Sequence, residues 1–105
     1  MKNKIKKITK KQIMDSWSST VKGMWDNRCA ICGKTGKLNS HHIVSKTLLA
    51  FRLDLQNGIA LCPRHHFFDK KCSGHAGSLG FFVWLLKNYP DIVKYLNDKL
   101  EHDNT

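Results

Sequence analysis

The stretch Leu38-Asn39-Ser40-His41-His42-Ile43-Val44 sets two histidines side by side in what reads as a short strand. Successive side chains of a strand point to opposite faces, so adjacent imidazoles do not easily serve one metal. One ring is then placed to bind an ion while the other stays free to act as a base, an arrangement suited to hydrolysis at a metal. Working outward, Cys29-Ala30-Ile31-Cys32 precedes the strand and Cys62-Pro63-Arg64-His65-His66 follows it. Cys29, Cys32, Cys62 and His65 form two half-sites, a three-cysteine, one-histidine set of the kind that closes small domains around a structural zinc. Three thiolates suit zinc better than harder ions. An alternative puts Cys72 in the fourth position and releases His65, which requires the helix after Cys62 to end early.

At 105 residues the chain is expected to be a single domain, small enough for a structural metal to matter to its stability. The formal net charge is +10, and Lys2, Lys4, Lys6, Lys7, Lys10 and Lys11 crowd the first eleven residues without an acid among them. Alone, that run reads as a solubilising tail. With the whole chain basic, nucleic acid is the better expectation for a partner. No apolar leader follows the lysine-rich start and no segment approaches membrane-spanning length. The expectation is a cytoplasmic protein with reduced thiols and no membrane partner, in which the cysteines bind metal and do not pair.

The apolar spacing divides the chain into a basic tail (1–10), an N-terminal helix (11–27), a zinc-stapled core (28–77) and C-terminal helices (78–102). In the first helix Ile13, Met14, Trp17, Val21, Met24 and Trp25 recur at helical spacing and are assigned to packing on the metal-bound part. Gly33 and Gly36 give the cysteine turn permissive backbone. Strands are expected at 38–44 and 59–61, with a helical piece over 47–51 and a turn at Asn57-Gly58. Pro63 starts a helix running to Lys71, and 73–77 form a glycine-containing loop around His75. Ser78 caps a helix over 79–88 whose apolar surface comes from Phe81, Phe82, Trp84, Leu85 and Leu86. Pro90 opens the last helix, which buries Ile92, Val93, Tyr95, Leu96 and Leu100. The fold class is therefore α+β.

Spacing removes several alternatives. The adjacent histidines do not fit a two-cysteine, two-histidine finger. The His-x-Glu and Pro-Cys-x-x-Cys elements of zinc deaminases are absent. No phosphate-binding or dinucleotide glycine motif occurs.

The ordered set Cys-x-x-Cys, His-His-Ile-Val, Asn-Gly-Ile-Ala-Leu-Cys and Cys-x-x-His-His resembles the HNH endonucleases, the ββα-metal or His-Me finger nucleases, especially small phage-type members. The likeness covers roughly residues 29–85. Arg52 and Asp54 match a pattern of those members, as does His75 followed by Leu79, Phe81 and Trp84. The resemblance implies a metal-dependent nuclease that hydrolyses DNA phosphodiester bonds and leaves a 5′-phosphate and a 3′-hydroxyl. His42 corresponds to the general base, and a nearby backbone carbonyl is expected to fix its tautomer. His41 stands where many members have an aspartate ligand, and His66 and His75 match further ligands of the same cation. Asn57 corresponds to the residue that braces the loop and aims the base, although as a plain turn-former it is explained nearly as well.

Two departures stand out. His65 replaces the usual fourth zinc cysteine, and His41 replaces the carboxylate, so imidazoles dominate the second site. That donor set favours Mn²⁺, Ni²⁺ or Zn²⁺ over Mg²⁺, with Asp54 and Asp69 available to lend a carboxylate. Lys2 to Lys11, Arg52 and Arg64 are expected to contact phosphates. One active centre per chain suits nicking; a dimer is needed to cut both strands at once. Packaging or recombination proteins are plausible partners of a phage-type member. Two other readings remain: a zinc-stabilised nucleic-acid-binding module without catalysis, and an effector acting on RNA through the same centre.

Overall fold

A computed structural model describes residues 7–68, 74 and 79–103. Helix α1 (Lys10–Met24) is followed by strand β1 (Asn39–His42), the short helix α2 (Leu49–Arg52), a 3₁₀ turn (Leu55–Asn57) and strand β2 (Gly58–Leu61). A π-helical turn (Arg64–Phe68) comes next, then α3 (Leu79–Asn88) and α4 (Pro90–His102). The architecture is α+β, with an antiparallel pair of strands held between helices.

α1 starts one residue before the expected boundary because Thr9 and Gln12 form a capping box. The Gln12 backbone N–H donates to the Thr9 hydroxyl at 3.1 Å, and the Thr9 N–H donates to Gln12 Oε1 at 2.9 Å. It stops at Met24, short of the expected 27, because Asp26 and Asn27 take left-handed backbone angles, φ 56° and 53°. Aspartate and asparagine tolerate that conformation better than most residues. The Asn27 N–H then bonds to the Lys22 carbonyl at 2.8 Å, closing the helix end.

β1 and β2 pair in the register Asn39↔Leu61, Ser40↔Ala60, His41↔Ile59, His42↔Gly58. β2 is buried along its whole length, whereas β1 buries only His41. Asn57-Gly58 is not the tight hairpin turn its composition suggests. Asn57 ends the 3₁₀ turn and Gly58 opens β2, so residues 43–57 make the connection between the strands. Gly58 is required there by packing: a Cβ would lie 2.4 Å from Val21 Cγ2 and 2.9 Å from Trp17 Cζ2. α1 therefore rests directly on the strand backbone. The Trp25 indole N–H donates to the Gly58 carbonyl at 3.1 Å, and Ser40 Oγ donates to the Ser18 carbonyl at 2.8 Å.

The core gathers Cys29, Ile59, Leu61, Cys62, Phe81 and Leu85. Fewer apolar residues are buried than the periodicity suggests. α3 turns in the i, i+4 pair Phe81 and Leu85, while Phe82 and Leu86 stay exposed. α4 buries Leu96 alone; Leu100 is exposed and Ile92, Val93 and Tyr95 are half-buried. On α1, Trp17 and Val21 are buried but Ile13 and Met24 are exposed. α4 is also tied by polar contacts: Lys99 Nζ and Tyr95 Oη donate to Asp54 Oδ2 at 2.6 and 2.7 Å. Ser78, Asp69 and the end of the helix expected to run to Lys71 lie outside the described residues.

No helix among the described residues is long and apolar enough to cross a membrane.

Candidate functional site

The cysteine turn is shaped by Gly33, at φ 73°, a backbone conformation that side chains disfavour. The Gly33 N–H donates to the Cys29 carbonyl at 2.8 Å and the Cys29 N–H to the Lys34 carbonyl at 2.9 Å, curling the segment around the sulfurs. The Ala30 N–H bonds to the Ala60 carbonyl at 2.9 Å and sets the turn against β2. β2 runs straight into Cys62, and the π-helical turn that follows brings His65 back over it.

The ligand atoms of Cys29, Cys32, Cys62 and His65 all lie within 4.8 Å of one another. Cys32 Sγ and Cys62 Sγ are 3.8 Å apart, and His65 Nδ1 lies 3.3 Å from Cys62 Sγ and 3.7 Å from Cys29 Sγ. A regular tetrahedron around zinc, with Zn–S of about 2.3 Å and Zn–N of about 2.0 Å, has edges of about 3.8 Å between sulfurs and about 3.5 Å from sulfur to nitrogen. The group fits a structural zinc, with His65 as fourth ligand. Burial pushes the Cys29 thiol up, but backbone N–H groups of Cys32, Cys62 and Ile31 outweigh it and hold the thiol below its ordinary value. That direction favours the thiolate a metal needs. Cys72 lies outside the described residues.

The turn that aims His65 at the sulfurs turns His66 the other way. His41 and His66 are both buried, at 8% and 7% exposure, and their rings meet edge to face with centroids 5.2 Å apart. They line a cleft of about 520 Å³ together with His42, Ser40, Ile43, Ser45, Lys46, Thr47 and Gly74. Gly74 abuts the His41 ring so closely that a Cβ there would lie 2.8 Å from His41 Nε2. Its N–H bonds to the His65 carbonyl at 2.9 Å, linking the zinc group to the cleft wall.

His42 is held on two sides. Its ring stacks on Trp17 with centroids 4.0 Å apart and planes within 6°. Its Nε2 lies 2.9 Å from the Arg52 carbonyl, and a carbonyl only accepts, so the proton sits on Nε2 and Nδ1 is the basic nitrogen. Burial, together with the positive charges of Lys46 and Arg52, holds its pKa below the ordinary 6.5, against the Arg52 carbonyl, which raises it. The ring is therefore neutral at about pH 7.

Asn57 does not line the cleft. Fully buried, it donates through Nδ2 to the Val44 and Phe51 carbonyls at 2.9 and 3.1 Å and accepts from the Val44 N–H at 2.7 Å. These bonds tie the end of β1 to α2, one residue from the carbonyl that holds His42.

Asp54 is engaged elsewhere. Its carboxylate is committed to Lys99, Tyr95 and the Gln56 N–H and is not among the groups lining the cleft. Among the described residues, only the zinc-type group brings three or more metal-binding side chains together; His41 and His66 are a pair. His75 lies outside the described residues.

Of the expected phosphate contacts, Lys7, Lys10 and Arg64 are exposed, and Arg52 directs its Nε to the Lys46 carbonyl at 3.0 Å. Lys11 forms an exposed ion pair with Asp15 at 2.6 Å. Lys2, Lys4 and Lys6 lie outside the described residues. Trp17, assigned only to the core from the sequence, also supports His42; nothing in helical spacing distinguishes these roles. Lys46 and Gly74 also line the cleft, and no local sequence pattern marks either of them.

Fold and site define a small α+β chain with a β-hairpin and a three-cysteine, one-histidine metal-binding group. No family model, no curated protein and no solved structure matches the chain.

Proposed function

We propose that the protein is a metal-dependent endonuclease of the HNH type, hydrolysing DNA phosphodiester bonds and nicking one strand. In this reading β1, β2 and the π-helical turn are the ββα-metal core. The observation that carries it is the pairing of two buried, facing imidazoles with a third whose basic nitrogen is fixed by a carbonyl, all in one cleft. A purely structural metal domain has no use for that second set.

His42 takes a proton from the attacking water as its oxygen bonds to phosphorus. The opposite phosphorus–oxygen bond breaks, and the departing 3′ oxygen takes a proton from solvent water, leaving a 5′-phosphate and a 3′-hydroxyl. Trp17 and the Arg52 carbonyl keep the ring oriented through that step, and Asn57 anchors the adjoining Phe51 carbonyl. His41 and His66, with His75 next in the chain after Gly74, would hold a divalent cation, which supplies charge neutralisation at the phosphate oxygens. Their imidazole nitrogens favour Mn²⁺, Ni²⁺ or Zn²⁺ over Mg²⁺. Lys10, Arg52 and Arg64 offer charge to the backbone.

One observation favours a second reading. The net charge of +10 serves a zinc-stabilised nucleic-acid-binding module without catalysis equally well. Supercoiled plasmid incubated with zinc-loaded protein and Mg²⁺, Mn²⁺, Ni²⁺ or Zn²⁺ in turn separates the two. The nuclease reading expects nicking with at least one ion, lost in His66→Ala. A protein that shifts DNA on a gel but cuts it with none of the ions is the binding module.

A further inference from the structure

Beside the histidine cleft lies a second groove, of about 370 Å³, between the first turns of α1 and the end of α2. Lys46 and Thr47 line both, so the two are neighbours. Lys10, Lys46 and Arg52 form its cationic side, and among the described residues no acid pairs with any of them. The nearest acids in sequence are engaged elsewhere, Asp15 with Lys11 and Asp54 with Lys99. The rest of the lining is apolar. Ile13, Met14 and Leu53 face the groove, with Ile13 40% and Leu53 49% exposed. Ile13 and Met14 lie on the apolar face that an amphipathic helix ordinarily buries.

A surface meant only to attract phosphates needs no apolar floor, and a surface meant for an apolar peptide needs no unpaired cations. Apolar contact under a cationic rim suits a nucleotide, whose base and sugar are apolar-faced and whose phosphate is anionic. We propose that this groove seats the nucleotide next to the phosphate held in the histidine cleft. Its base and sugar lie over Ile13, Met14 and Leu53, and its phosphate lies toward Lys10 and Arg52. Lys46, common to both sites, stands at the junction. The inference rests on the nuclease reading for the position of the reacting phosphate, but the groove's occupancy is testable without cleavage.

The test uses zinc-loaded full-length His42→Ala, so that substrate is not consumed, and fluorescein-labelled single-stranded and duplex oligonucleotides read by anisotropy. Adding Ile13→Ser, with folding checked by circular dichroism and zinc content, is expected to weaken binding about threefold to tenfold while leaving the salt dependence unchanged. Adding Lys10→Ala should weaken binding and lower the salt slope by roughly one released counterion. Unaltered affinity in Ile13→Ser overturns the proposal and leaves a plain charged surface. So does equal competition by polyglutamate, which carries charge without bases, or failure of the parent to bind either oligonucleotide. If the Ile13→Ser loss persists while the wild-type protein cuts no nucleic acid, the nuclease reading fails and the groove's occupancy stands.

Discussion

His42 is held by the Trp17 ring and the Arg52 carbonyl, and Asn57 ties down the neighbouring Phe51 carbonyl. The stack and the hydrogen bond make separable contributions. Trp17 also donates its indole N–H to the Asp54 carbonyl at 3.2 Å, so replacing it removes a core residue, a ring face and a donor together. Trp17→Phe keeps a ring beneath the imidazole, and Trp17→Leu keeps only apolar volume. An aromatic pair contributes about 0.5–1.5 kcal/mol beyond burial. The leucine variant is therefore expected to cut at a kcat about threefold to tenfold below the phenylalanine variant, with KM unmoved. Imidazole ¹⁵N shifts should show His42 sampling both tautomers in Trp17→Leu and holding the Nε2–H form in Trp17→Phe. Equal rates and equal shifts would make Trp17 a core residue and no more. The zinc ligands were legible because Cys-x-x-Cys and Cys-x-x-His spacings are local and chemically narrow. The support of His42 was not, since a backbone carbonyl has no residue type and a tryptophan at helical spacing looks like any core position.

Among the elements, α1 and the hairpin form the tightest junction. Gly58 has ordinary extended angles, φ −110° and ψ 142°, so a side chain there meets no backbone strain, only Val21 and Trp17. Overpacking of this kind costs about 1–3 kcal/mol. Gly58→Ala should lower stability by that amount in urea unfolding of the zinc-loaded protein. Because Val21→Ala removes the methyl groups the new Cβ strikes, the double variant should lose less than the sum of the single losses. Strict additivity would mean that α1 does not rest on β2 as described. Asp54 joins α4 to the same unit. Burial raises its pKa, but hydrogen bonds from Lys99, Tyr95 and the Gln56 N–H outweigh that and hold it below the ordinary carboxylate value. Its contribution is thus present above the ordinary carboxylate range and lost as pH falls through the folded-state value. Strand and helix types followed from periodicity. The long connection through α2 did not, because Asn57-Gly58 carries the composition of a tight turn while the packing of Val21 on Gly58 claims that glycine for β2.

At the scale of the whole chain, a +10 charge, a zinc-type group against the core and a histidine cleft beside a cationic groove are arranged around one hairpin. The charge and the metal group were visible in composition and spacing. The family resemblance assigned His41, His42 and His66 to one site, whereas the groove arises from Leu53 in a connecting segment and from exposed Ile13, which periodicity assigns to a packed face. The central claim is that this convergence cuts nucleic acid with His42 as base, and general-base groups contribute about 10²–10⁴-fold. The most direct test is the single-turnover rate of plasmid nicking by His42→Ala against wild type, with zinc content, circular dichroism and DNA affinity matched. The account predicts a fall of at least about a hundredfold with binding retained. Nicking undiminished in His42→Ala would contradict it.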